Sequence, residues 1–119
     1  MHFLGHIEHD SSLLASAYAA CEVFTLTSWF ETPGLCALEA ALAGAKLVIT
    51  DGGCTREYFK DMAIYAKPDD PNDIRRCVEK AYAMGDDGRL KRHVLDNYTW
   101  NKVAQATKKG YEKVMGDTV

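Results

Sequence analysis

Short apolar runs and helix-spaced apolar residues alternate along the first two thirds of this chain. Phe3-Leu4 is a short apolar run ended by Gly5 and reads as a strand. Ser11 or Ser12 then caps a helix to about Ala20, with Leu14, Ala17, Tyr18 and Cys21 at helical spacing. Val23-Phe-Thr-Leu26 reads as a strand; its apolar residues do not alternate, which suits a parallel strand covered on both faces. Thr32-Pro33 reads as N-cap and first residue of a helix that carries Leu35, Leu38 and Leu42 and stops at Gly44. Leu47-Val-Ile-Thr50 is the next strand, the segment 51–57 a loop, and Ala63-Ile-Tyr-Ala66 a shorter strand. A helix starts within residues 69–73 and runs to about Met84, and two more follow near 87–96 and 100–115, the last capped by Thr99. Strand and helix alternate, then helices continue alone. That order predicts an α/β fold, a Rossmann-like three-layer sandwich with a mostly parallel sheet.

Composition changes the picture little. The chain of 119 residues is long enough for one small domain, taken as 1–119, and is 47% hydrophobic and 26% charged. No apolar run approaches the roughly 20 residues of a bilayer span. No signal or transit peptide is read at the start, so the expected location is cytoplasmic. A net charge of −3 gives no electrostatic reason to expect nucleic-acid binding. The cysteines at 21, 36, 54 and 77 form no C-x-x-C pair and read as reduced, mostly buried thiols. His2, His6 and His9 lie across a strand and turn without a fixed face, so no metal site is assigned. Lys46 and Arg56 read as partners in structural salt bridges.

The chemistry concentrates in Glu31-Thr-Pro-Gly-Leu-Cys-Ala-Leu-Glu39, at the carboxyl end of the strand at Val23, where open α/β sheets bind ligands. In one continuous helix the two glutamates would stand about 80° apart. A helix start at Thr32-Pro33 instead leaves Glu31 in the loop over the helix end, with Glu39 two turns in. The first helical N–H groups have no intrahelical partner and carry the positive end of the macrodipole. Gly34, without a side chain, lets a phosphate or sugar hydroxyl approach its amide. Carboxylates beside such an end accept hydrogen bonds from hydroxyls, so phosphates and sugar hydroxyls together suit the motif. A Thr32 cap would compete with a ligand for the same amide. Local physics leaves a plainer reading open: Thr-Pro-Gly also begins ordinary helices, and Glu39 also suits a surface ion pair.

At these residues the sequence resembles the retaining nucleotide-sugar glycosyltransferases of the GT-B fold, family 4, also called group 1. That family's signature is two glutamates separated by seven residues, with an aromatic residue or proline and then glycine between them. Phe3-Leu-Gly-His-Ile7, the stretch 20–28, the strand and glycine loop at 43–53, the stretch 63–71 and Tyr98-Thr-Trp100 also resemble the family, in its order. Thr27, where the family often has proline, and Cys54, within a glycine-rich loop, depart from it.

The resemblance implies the C-terminal, donor-binding portion of a GT-B enzyme that transfers a sugar from a nucleotide-diphosphate sugar to an acceptor. Glu31 would contact the donor sugar and is the residue assigned a catalytic role. Glu39 would bind the ribose, the amides of Gly34 and Leu35, with Thr32 and Pro33, would face sugar and diphosphate, and the backbone at His6 and Ile7 would lie by the base. No cofactor or metal is implied. The implied partners are the nucleotide-sugar and an upstream acceptor domain, with membrane-peripheral placement of a full-length enzyme. By the same resemblance, the diphosphate-binding arginine and lysine belong to sequence ahead of this chain, and the strands present are 3, 4, 5 and 6. Strand 3 then pairs directly with strand 4, or the edge of strand 4 binds a second copy. The last helix, with Val103, Thr107, Tyr111 and Val114, would lack part of its cover. The alternative is a non-catalytic nucleotide-sugar-binding or interaction module with this half-domain.

Overall fold

The computed structural model describes residues 1–116 and follows the expected alternation. Helix α1 (Ser12–Ala20) leads to β1 (Val23–Leu26), α2 (Leu35–Ala43), β2 (Lys46–Thr50), α3 (Thr55–Phe59), β3 (Ile64–Ala66), α4 (Pro71–Ala83), α5 (Arg89–Asn97) and α6 (Trp100–Gly116). The sheet is parallel, in the order β1-β2-β3, with Phe24 beside Leu47 and Ile49 beside Tyr65.

Side-chain alternation on the central strand β2 builds the layers. Leu47 and Ile49 face one way, into a core with Ala37, Leu38, Ala40 and Ala41 of α2, Phe59 of α3, and Leu90 and Val94 of α5. Val48 faces the other way, against Cys77 and Ala81 of α4. Helices therefore cover both faces, which gives the three layers and explains why β2 is apolar without alternation. Fully burying side chains such as Phe59, Leu47, Ile49 and Val94 stabilises by about 1.5–3 kcal/mol each. The run of alanines on α2 lets that helix lie close on the sheet over the site's end of β1 and β2.

Side-chain caps set three of the six helix starts among the described residues, those of α1, α4 and α6. Ser11 Oγ, of the two serines, accepts the Leu14 N–H at 3.2 Å. Asp70 accepts from the Asn72 and Asp73 amides at 3.0 and 3.1 Å, with Pro71 as first helical residue. Thr99 Oγ1 lies 3.4 Å from the Lys102 amide at the start of α6.

Four expectations are corrected. No strand forms at Phe3-Leu4: residues 1–8 are irregular, with Phe3 90% and Leu4 73% exposed. A strand lasts only where a neighbour takes up its backbone groups, and residues 1–8 pair with no strand of the sheet, so the direct pairing of strands 3 and 4 does not occur. The free edge of β1 stays unpaired among the described residues. Second, α2 starts at Leu35, not at Thr32-Pro33, because Gly34 is the N-cap, with φ +63°. A residue in the left-handed region cannot be inside a right-handed helix, so Thr32 and Pro33 stand outside it, and Glu39 lies one turn in rather than two. Third, α3 forms where a loop was expected, nucleated by Thr55 Oγ1 donating to the Thr50 carbonyl at 2.7 Å and by buried Phe59. Fourth, of the cysteines only Cys77 is buried; Cys54 is exposed.

Helix α6 touches α5 and has no buried residue; Tyr111 and Val114 are exposed, as expected for a helix short of cover. No helix among the described residues is long and apolar enough to cross a membrane.

The cap assignment makes a prediction. Asp70→Ala should cost about 1 kcal/mol of unfolding free energy, whereas Thr32→Ala should stay within about 0.5 kcal/mol. Urea unfolding of the two variants checks this; equal losses would restore Thr32 as a cap.

Candidate functional site

Beyond the last pair of the β1–β2 ladder the two chains stay together for one more step. The Glu31 N–H donates to the Gly52 carbonyl at 3.2 Å, and the Cys54 N–H donates to the Glu31 carbonyl at 2.9 Å. These bonds form a parallel bridge between Glu31 and Gly53. The close approach requires glycine. A Cβ on Gly52 would overlap the Trp29 carbonyl oxygen, and one on Gly53, at φ +92°, would overlap that of Glu31. The Gly-Gly pair after β2 thus fixes the backbone of Glu31.

The Glu31 side chain is held as well. Ser28 Oγ donates to Glu31 Oε1 at 2.5 Å. One turn into α2, Glu39 Oε2 accepts from the Tyr18 hydroxyl at 3.1 Å, while His9 Nδ1 lies 3.9 Å from Glu39 Oε1. The start of α2 between them has no side-chain cap. Its first turn leaves the amides of Leu35 and Cys36 without intrahelical acceptors, and the competition expected from Thr32 disappears. The glycine at 34 has a different reason from the one expected. A Cβ there would meet Leu26, Ala37 and Ile49 at 3.6–3.8 Å, so that direction faces the core. Gly34 is needed for its φ, not to clear room for a ligand.

These groups line one open groove of about 640 Å³ at the carboxyl end of the sheet. Ile7, Glu31, Thr32, Pro33, Gly34, Leu35 and Glu39 all border it, together with His6, His9 and Tyr18. Every residue singled out from the sequence is therefore brought together. Tyr18 and Ser28, which hold the carboxylates, were missed. Ser28 lies three residues before Glu31 and invited attention; Tyr18, on the apolar stripe of α1, reads as plain core. A smaller cavity of about 130 Å³ lies at the opposite end of the sheet, bordered by Lys46, Met84 and Arg89.

Among the described residues the groove's border holds no lysine or arginine, so the end of α2 supplies its fixed positive character. Arg56 is committed elsewhere, paired with Asp51 and lying 4.1 Å over the Tyr65 ring. Lys46 donates to the Met84 carbonyl at 2.6 Å and pairs with Glu22. Both basic residues are structural, as read from the sequence.

Desolvation, and then the bond to Glu39, push the Tyr18 hydroxyl up to about 12 from its ordinary 10.0. The folded chain keeps that proton where the unfolded chain has lost it. Tyr18's stabilisation is therefore complete below pH 10 and should be lost as pH rises from 10 to about 12. Tyr18→Phe should flatten the fall in urea midpoint across that window; an unchanged slope would exclude Tyr18 as its source.

Residues 1–84 match the family model described as glycosyl transferases group 1. The chain is 29% identical over 122 aligned positions to an uncharacterized glycosyltransferase, MJ1607, of Methanocaldococcus jannaschii, an alignment that covers 95% of this chain and 30% of that protein. Its fold is similar to that of sucrose-phosphate synthase from Thermosynechococcus elongatus, with a TM-score of 0.79 at 21% identity, over 98% of this chain and 30% of that one. The chain spans about 30% of the length of each of these two proteins. The likeness of fold is to the Rossmann-like architecture of a GT-B enzyme. With the family model matching well over half the chain, and with the two-glutamate motif assembled around one groove, this chain belongs to the group 1 glycosyltransferases.

Proposed function

We propose that the groove is the donor half-site of a retaining glycosyltransferase and that it takes a nucleotide-diphosphate sugar. One observation carries this reading: two carboxylates, Glu31 and Glu39, flank an uncapped helix start in a single groove. Hydroxyl-rich, doubly anionic ligands match that combination. The Leu35 amide and its neighbours meet the diphosphate, which the helix end favours. Glu39, one turn along, accepts from the ribose hydroxyls. Glu31, in the loop, accepts from hydroxyls of the transferred sugar and fixes its orientation. The backbone at Ile7 borders the base.

Transfer with retention then needs no nucleophile from this chain. The bond from the anomeric carbon to the departing diphosphate breaks as the acceptor oxygen attacks the same face, and the diphosphate takes the acceptor's proton. Glu31 contributes by orienting the sugar. Neither metal nor cofactor has a part in this reading. The acceptor is held by a domain upstream, so the chain by itself binds donor and turns it over little, because attack geometry needs both reactants held. We place the enzyme in the cytoplasm, peripheral to the membrane at full length. The unpaired β1 edge is where a second copy would add a strand.

Calorimetric titration of the chain with UDP-, GDP- and ADP-glucose tests the reading. Saturable binding of one of them, weakened in Glu31→Gln, is expected. Heats indistinguishable from dilution for all three, in folded protein, would sink it.

A further inference from the structure

We propose that Tyr18 and Ser28 are positioning residues: each grips one oxygen of a motif carboxylate and leaves the other oxygen for a hydroxyl of the bound nucleotide-sugar. The proposal deepens the donor-site reading and rests on it. The two contacts have the same form although they arise on different elements. Ser28 Oγ donates to Glu31 Oε1 at 2.5 Å, and among the described residues Glu31 Oε2 receives no hydrogen bond. The Tyr18 hydroxyl donates to Glu39 Oε2 at 3.1 Å, and among the described residues Oε1 receives no hydrogen bond, with the His9 imidazole 3.9 Å away.

The supports of both hydroxyls are themselves fixed. The Tyr18 ring packs against Phe24 of β1, with centroids 5.9 Å apart, so its oxygen is positioned by both α1 and the sheet. A phenol is protonated across the physiological range, so this one stays a donor there. Ser28 lies in the loop that the Glu31–Gly53 bridge ties down. A glutamate free to rotate loses that freedom when a ligand binds; one already held by a hydroxyl lost it on folding, so binding costs less. The contrasting role for these hydroxyls is purely structural, tying α1 to α2 and closing a turn. That role would affect stability but would not depend on the carboxylate's ability to bind ligand.

A double-mutant cycle separates the two. Affinity for UDP-, GDP- and ADP-glucose is measured for the full chain, Tyr18→Phe, Glu39→Gln and the double variant, with near-UV circular dichroism as the check on folding. Tyr18→Phe should weaken the tightest of these sugars about fivefold, the worth of one hydrogen bond. In the Glu39→Gln background the same change should fall within about twofold. The cycle of Ser28→Ala with Glu31→Gln should behave alike, and it carries the test if Tyr18→Phe fails to fold. Unchanged affinity in both hydroxyl variants, or equal losses in both backgrounds, would overturn the proposal while leaving the donor site standing. Absence of binding by the unaltered chain would overturn the donor reading, and this proposal with it.

Discussion

Gly53→Ala should cost about 3 kcal/mol of unfolding free energy and, with it, most of the site. The alanine Cβ would overlap the Glu31 carbonyl oxygen at a φ of +92°. Left-handed backbone alone costs an alanine roughly 1–2 kcal/mol. Relieving the overlap also parts the Glu31–Gly52 and Cys54–Glu31 bonds, each worth about 0.5–1.5 kcal/mol. Against the roughly 5–15 kcal/mol typical of whole domains, that is a large share. Urea unfolding measures it, and Gly85→Ala is the control, because nothing lies within 4 Å of a Cβ there. Equal costs at the two glycines would show that the bridge contributes nothing special.

Glu39→Gln should weaken binding of a nucleotide-sugar between about tenfold and a hundredfold while leaving the fold intact. Glutamine keeps the shape and removes the charge, and hydrogen bonds to a charged group are worth roughly 1.5–3 kcal/mol. Stability should change little, because Glu39 is a third exposed and its protein partners are one phenol and one imidazole. The same substitution at Glu31 should act chiefly through the sugar: affinity for the nucleoside diphosphate alone should survive Glu31→Gln and fall in Glu39→Gln. Calorimetry with both ligands on both variants separates the roles. If the two variants lose affinity for the diphosphate alike, the division of labour between the glutamates is wrong.

The strands at 23, 47 and 63 were legible because each is an apolar run with a strand to pair with, β2 on both of its sides and β1 and β3 on one. Phe3-Leu4 carries the same local signal, but a strand depends on a partner that no local pattern reveals. The start of α2 misled for a related reason. Thr-Pro-Gly has a good cap and a good first residue in the right order, but a glycine at φ +63° two positions later overrules both. The segment 51–57 looked like a loop because Gly-Gly-Cys hides a five-residue helix whose anchor, Phe59, is recognisable only once folded. The candidate site was more legible than the fold around it, since its spacing is local and a groove at the strands' carboxyl end follows from the parallel sheet. What sequence could not supply was the second layer of contacts. Tyr18 reaches Glu39 across 21 residues, and nothing local in an alanine-rich helix marks one tyrosine as a donor.

The central claim is that the end of α2 and the two glutamates form one nucleotide-sugar site, and an amide chemical-shift titration with UDP-, GDP- and ADP-glucose tests it most directly. The account predicts saturable shifts concentrated at Ile7, Glu31, Gly34, Leu35 and Glu39, with one nucleotide clearly preferred. Shifts centred on the cavity at Lys46, Met84 and Arg89, or none from a folded chain, would contradict it.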